Sequence, residues 1–263
     1  MTSQEEMIKA IKNNDYTKME EMLNRTLRSC INKKLKIQTE AYMGVMSPLC
    51  LAVIEGDPAD TTIIQLLLRN GANPRKQRDY RIPTILPIMT EYLSPVFMAI
   101  KEQNIAVLKL LLEAGASASE TSPELKVQEE EGGSMLYCDT QETCLHRAVL
   151  MKNPAMVELL VMKGADVNAL NSDAQTPLHS CGYQYHPQVF RHLVCGGAMA
   201  VSMDQEGQSV LGLLLKPQLC DGGVEVCTSR EIQDRIESVH LLLSAGYDLQ
   251  RDTPVRRMWM KQP

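Results

Sequence analysis

The sequence predicts an all-α solenoid: about six stacked helix pairs, with two enlarged connections and one inserted loop. A recurring capping tetrapeptide is the first observation behind this. It stands as Ser47-Pro48-Leu49-Cys50, Ser94-Pro95-Val96-Phe97, Thr143-Cys144-Leu145-His146 and Thr176-Pro177-Leu178-His179. A weaker copy is Ser209-Val210-Leu211-Gly212, and Thr253-Pro254-Val255 begins another. The second observation is the spacing. It is 21 residues from Ser94 to Gly115, from Thr143 to Gly164 and from Thr176 to Gly197, and 33 from Thr143 to Thr176 and from Thr176 to Ser209. A fixed period of this length is the signature of stacked repeats.

Each element follows from local chemistry. The opening segment Met7–Leu23 has a two-helix rhythm without the tetrapeptide, as the first unit of a stack would. In the full copies, Ser or Thr accepts a hydrogen bond from a free backbone N–H of the first helix. Pro then fits the first turn, where no donor is needed. Ala52, Ala99 and Ala148 are small enough to let that helix approach its neighbours. The second helix carries a broad apolar face, as in Val107, Leu108, Leu110, Leu111 and Leu112, suited to burial by stacking. Gly71, Gly115, Gly164, Gly197 and Gly246 follow where a left-handed residue stops a helix. One such unit cannot bury its apolar face alone, so adjacent units stack.

These features resemble the ankyrin-repeat family, with 176–198 and 143–169 as the best copies and about 45–260 covered. The resemblance implies helix pairs with projecting hairpin-like fingers, used to bind other proteins. Residues 1–46 are then an N-terminal capping repeat and linker, 47–252 the repeats, and 253–263 a partial or capping terminal repeat. Two fingers are enlarged: Gly71 to Ser94 spans 23 residues and Gly115 to Thr143 spans 28, against 12 in the regular copies. Inserts are expected near 75–93, 120–142 and 216–231. In the last, Thr228 and Glu231 form a capping box that restarts the second helix. Thr253–Met260 reads as half a repeat, either a terminal lid or the opening of a longer array.

Composition narrows the function classes. The 263 residues are 44% hydrophobic and 22% charged, the balance of a folded domain. No apolar run reaches the roughly 18–20 residues a membrane helix needs, and the first residues lack a signal-peptide core. The net charge of −5 provides no general field for nucleic acid. Eight cysteines without a CxxC pair are expected to be reduced in an intracellular chain, cytoplasmic or nuclear. The sequon at Asn24 is then a chance match.

No GxxxxGK[ST], HExxH, GxSxG or GxGxxG motif is present, so nucleotide, zinc-protease and hydrolase readings lack their parts. His146 and His179 close the capping tetrapeptide, where an imidazole bonds backbone within the turn. Cys144 with His146, Cys181 with His179, and His192 with Cys195 could form a metal site on paper. However, zinc ligands come as tightly spaced pairs, and these cysteines are expected at core helix positions. No cofactor is expected.

Family geometry places the fifth, eighth and ninth residues of each repeat on the concave face. These are Leu51, Ile54 and Glu55; Met98, Lys101 and Glu102; Arg147, Leu150 and Met151; Ser180, Tyr183 and Gln184. Met98, Leu150, Met151 and Tyr183 make an apolar stripe that is either a contact surface or covered by folded-back fingers. Arg147 and Gln184 flank it. The first enlarged finger carries Arg75, Lys76, Arg78, Tyr80 and Arg81, a basic loop better suited to an acidic peptide than to nucleic acid; the second is acidic. Asn168 in GADVNA, with Val167 before it and Leu160 eight residues upstream, matches the pattern by which some ankyrin repeats are asparagine-hydroxylated. The local alternative is that Asp166 and Asn168 shape the finger turn.

The expected function is a monomeric, non-enzymatic scaffold gripping a protein segment. Two narrower alternatives are the substrate-recognition subunit of a ubiquitin ligase, whose recruiting box lies outside this sequence, and an inhibitor of a Rel-type transcription factor.

Overall fold

The computed structural model describes residues 3–25, 31–33, 35–38, 43–75, 94–122, 141–184, 186–215, 219–220, 223–224 and 229–247. The chain forms two compact units, Met1–Ser117 and Ala118–Pro263.

In the first unit the helices are α1 (Ser3–Lys12), α2 (Tyr16–Arg25), α3 (Pro48–Glu55), α4 (Thr62–Arg69), α5 (Pro95–Lys101) and α6 (Ile105–Glu113). Strands β1 (Leu35–Gln38) and β2 (Met43–Met46) form an antiparallel hairpin between α2 and α3, with Leu35 opposite Met46. The first helices of successive pairs pack as a row, α1 on α3 and α3 on α5, while each also packs on its own second helix.

The second unit repeats the plan. Its helices are α7 (Cys144–Leu150), α8 (Pro154–Met162), α9 (Pro177–Gln184), α10 (Pro187–Cys195), α11 (Val210–Leu215) and α12 (Ser229–Ser244). One row runs α7, α9, α11 and the other α8, α10, α12. Strands β3 (Leu219–Cys220) and β4 (Gly223–Val224) pair within the inserted loop. The class is thus helical, with two short hairpins that the sequence reading did not foresee. The second helix of the last pair restarts at Ser229, inside the expected 216–231 insert. Thr228 of the expected capping box lies outside the described residues.

The capping logic is visible bond by bond. Oγ of Ser47 accepts from Cys50 N at 3.2 Å, and Ser94 accepts from Phe97 N at 3.4 Å. Thr143 accepts from His146 N at 3.3 Å, Thr176 from His179 N at 3.4 Å, and Ser209 from Gly212 N at 3.1 Å. The five turn glycines all have positive φ, from 83° at Gly164 to 93° at Gly115, which only glycine adopts at little cost. Other residues also enter that region: Gln103 (52°) and Lys152 (54°) just before the caps of second helices, Gln141 (47°) and Ala174 (55°) two residues before the capping threonines. Gly207 (70°) occupies the latter place before Ser209.

Between the rows lies an apolar core. In the second unit Leu145, Val149, Met156, Val157, Leu160, Leu178, Phe190 and Leu193 are fully buried. At Gly182 a Cβ would lie 3.2 Å from Leu213 Cβ, so the missing side chain sets how closely α9 and α11 approach.

Candidate interaction surface

The helix α7 shows how a repeat divides core from surface. Cys144, Leu145, His146, Ala148 and Val149 are buried. Arg147, Leu150 and Met151, spaced i, i+3, i+4, stay half-exposed together on one face. Here the structure brings together three residues that the repeat pattern assigned to the concave side. Arg147 is not a free cation, because its Nε lies 3.4 Å from Glu142 Oε2. Glu142 sits at the base of the second enlarged finger, which an antiparallel bridge between Thr121 and Thr143 closes. Ser122 N donates to Glu142 O at 2.7 Å there, and Cys144 N to Glu120 O at 2.9 Å.

In the first unit Met98 is half-exposed on α5, with Lys101 and Glu102 exposed beyond it. Two positions read as surface are core: Leu51 is fully buried and Ser180 is buried. The repeat pattern reads both as concave-side positions, but each sits on a short helix packed between two other first helices, α3 between α1 and α5 and α9 between α7 and α11. Tyr183 and Gln184 lie on α9, and their side chains fall outside the described ones.

Side chains tie successive fingers to one another; after Gly71, Gly115 and Gly164 the side chain involved is four places beyond the glycine. Asn168 donates from Nδ2 to Gly197 O at 3.2 Å and accepts at Oδ1 from Met199 N at 2.7 Å. Asn32 makes the same two bonds to Gly71 O (2.9 Å) and from Asn73 N (2.7 Å). Ser119 Oγ accepts from Asp166 N at 3.2 Å. Arg75 belongs to this series: its Nε donates to Gly115 O at 3.0 Å. Thus one member of the basic finger has a structural partner, while Lys76, Arg78, Tyr80 and Arg81 lie outside the described residues. Asp166 Oδ1 accepts from Asn168 N at 2.9 Å, the local turn that the sequence allowed.

Sequence reasoning missed two finger residues, Asn171 and Asp204, both buried. Asn171 Oδ1 accepts from Asp173 N (3.0 Å) and Gln175 N (2.8 Å), and Asp204 Oδ1 accepts from Gln208 N (2.8 Å). The signal was available: they stand 33 residues apart, each followed four places later by Gln.

His146 and His179 join each capping turn to the next finger. The Nδ1 of His146 accepts from Thr143 N at 3.2 Å and stands 2.8 Å from its hydroxyl, while Nε2 donates to Gln175 O at 2.9 Å. His179 does the same with Thr176 N (3.1 Å), its hydroxyl (2.8 Å) and Ser202 O (3.1 Å). The backbone donors at Nδ1 assign the Nε2–H tautomer. Burial is the main cause holding both imidazoles below their ordinary range. Both ring nitrogens are therefore committed. Cys50, Cys144 and Cys181 are buried, and burial pushes the Cys181 thiol up to about 12. Cys195, expected in the core, is exposed, because it lies in the last turn of α10 just before Gly196. Among the described residues no three His, Cys, Asp or Glu converge on a metal position, and no helix is long and apolar enough to cross a membrane.

Comparison with known proteins agrees with this geometry. Residues 49–171 match the sequence profile of ankyrin repeats (three copies). Over 122 residues the chain is 32% identical to human B-cell lymphoma 3 protein, an alignment covering 46% of this chain and 24% of that protein. It is 45% identical over 53 residues to an Arabidopsis thaliana protein, ADP-ribosylation factor GTPase-activating protein AGD1, covering 19% of this chain and 6% of that one. With zebrafish (Danio rerio) protein fem-1 homolog C it shares 29% over 100 residues, covering 37% and 16%. The chain thus spans no more than about a quarter of the length of these curated relatives. The crystal structure of an ankyrin repeat domain from Acinetobacter baumannii superposes with a TM-score of 0.60 at 18% identity, covering 91% of this chain and 97% of that one. The matched profile identifies ankyrin repeats within residues 49–171, and the described helix pairs share the fold of a solved ankyrin repeat domain.

Proposed function

We propose that the chain is a non-enzymatic, intracellular scaffold that grips a protein segment on its concave side and fingers. The observation that carries the reading is the half-exposed face of α7, Arg147, Leu150 and Met151, on a helix otherwise wholly buried. A half-exposed leucine and methionine side by side favour an apolar contact, and the unbranched thioether adapts to a partner's shape. Met98 would serve the same purpose in the first unit, with Tyr183 and Gln184 extending the surface along α9. Specificity would reside in the enlarged fingers, since loops vary while a rigid scaffold positions them.

The test is affinity capture from cell extract by the wild type beside a Leu150→Glu/Met151→Glu variant, both shown to be folded by circular dichroism. The reading predicts a protein retained by the wild type and lost from the variant. Identical captures would overturn it. The same experiment sorts the narrower alternatives: a cullin–elongin set would support a ligase subunit, and a Rel-type factor would support an inhibitor.

A further inference from the structure

The turn after α4 holds the chain's sole asparagine–glycine pair, Asn70-Gly71. An asparagine followed by glycine is open to deamidation, because no Cβ shields the attacking backbone nitrogen. In that reaction the Gly71 nitrogen attacks Cγ of Asn70 and closes a succinimide ring. The nitrogen's proton leaves with the side-chain amide as ammonia. Water then opens the ring at either carbonyl, leaving aspartate or isoaspartate at position 70. Asn70 is half-exposed and Gly71 exposed, so water reaches the turn.

The folded turn nevertheless holds the reactants apart. Asn70 caps α4 at φ −91° and ψ 9°, and its Nδ2 donates back along the helix to Leu66 O at 2.8 Å. Gly71 N donates to Leu68 O at 3.1 Å, and Ala72 N to Leu67 O at 3.0 Å. Electrophile and nucleophile are each engaged with the helix end, not aligned on one another as attack requires. Neighbouring turns clamp this arrangement. Asn32 donates to Gly71 O and accepts from Asn73 N. Asn73 Oδ1 accepts from Arg75 N at 2.9 Å, and Arg75 Nε reaches Gly115 O. Asn70 therefore sits within a run of ties that joins the turns after α2, α4 and α6.

We propose that Asn70 is a modification site gated by the stack: it deamidates only when this turn opens, and conversion then holds the turn open. A carboxylate at position 70 sets an acceptor against the Leu66 carbonyl, where Nδ2 now donates, at the negative end of α4. Isoaspartate also lengthens the backbone just before Gly71, displacing the carbonyl and amide that Asn32 clamps. The ties of Asn32 and Arg75 loosen together, and hydrolysis makes the step a one-way timer on the base of the first enlarged finger. The site stands independently of the capture surface on α7.

The experiment incubates the full chain at neutral pH and physiological temperature, digests it with pepsin in acid, and follows the mass of the peptide containing Asn70. Native wild type is compared with wild type in guanidinium chloride and with Asn32→Ala and Asn168→Ala, circular dichroism confirming the fold of both variants. Native wild type should convert about 100-fold more slowly than the unfolded chain, an opening of about 2.7 kcal/mol. Folded Asn32→Ala should convert about tenfold faster than native wild type, having lost two bonds that hold the turn. Asn168→Ala loses the matching pair in the second unit and should convert at the wild-type rate. If Asn32→Ala does not fold, Asn32→Asp, which keeps the acceptor for Asn73 and loses the donor, should show a smaller acceleration. Asn70→Asp, standing for the product, should melt below wild type. No conversion in denaturant overturns the site, and equal rates in native and unfolded chain overturn the gating. A folded Asn32 variant at the wild-type rate, or an Asn70→Asp chain as stable as wild type, overturns the timer.

Discussion

Replacing His146 by alanine tests whether the capping imidazole couples successive repeats. The ring is fully buried. Its removal strands the Thr143 amide, a buried donor bonded to Nδ1 at 3.2 Å, and takes from Gln175 O the donor at 2.9 Å. One stranded buried donor costs about 1–3 kcal/mol. The partly relaxed void adds about 1–2 kcal/mol, so a total near 3–4 kcal/mol is expected. A domain has about 5–15 kcal/mol to lose, and at roughly 2–4 °C per kcal/mol the melting point should fall by roughly 6–16 °C.

The same site sets a pH dependence. Burial, the leading cause, lowers both His146 and His179 in the folded state from an ordinary value of 6.5; the Gln175 carbonyl opposes the shift at His146, and Asp204 opposes it at His179. The unfolded chain then binds more protons than the native one in the window between the folded values and 6.5. Stability is therefore complete above 6.5 and is lost as pH falls through that window towards the folded values. Urea unfolding followed by circular dichroism at a series of pH values should show the midpoint falling on acidification, with a shallower fall in His146→Ala, where only His179 remains. A penalty under about 1 kcal/mol, near a lone solvent-screened bond, or stability that rises on acidification would refute the coupling.

Other expectations are simpler to check. Asn168→Ala removes two bonds between adjacent fingers and should cost about 1–2 kcal/mol in chemical denaturation, allowing for the half-exposed site; the variant should stay helical. With both ends of its amide engaged, Asn168 is expected to serve the turn, so the mass of the peptide containing it should show no added oxygen. Ala174 holds a φ of 55° where the next finger has Gly207. Ala174→Gly should be neutral or stabilising by up to about 1 kcal/mol, since relief of left-handed strain offsets the added freedom of the unfolded chain; a clear loss of stability would refute this.

Much of the architecture was legible because its determinants are local. A serine or threonine three residues before a backbone donor, a proline in the first turn and a glycine after the last act within one helix turn. Their recurrence, with a 33-residue period from Thr143 to Ser209, made the pattern readable without any tertiary contact. Exposure was not local. Leu51 and Leu150 occupy related places in their repeats, yet Leu51 is fully buried while Leu150 remains half-exposed. Likewise, Cys181 and Cys195 look alike as helix cysteines, and only packing buries the first and exposes the second. The composition of Arg75 suggested a ligand-facing cation, but its bond to Gly115 depends on a turn 40 residues away. The chain's local sequence determines where each helix starts and stops. Which face of each helix is left for a partner was decided only when neighbouring repeats met, because burial and hydrogen-bond satisfaction belong to the stack and not to any one segment.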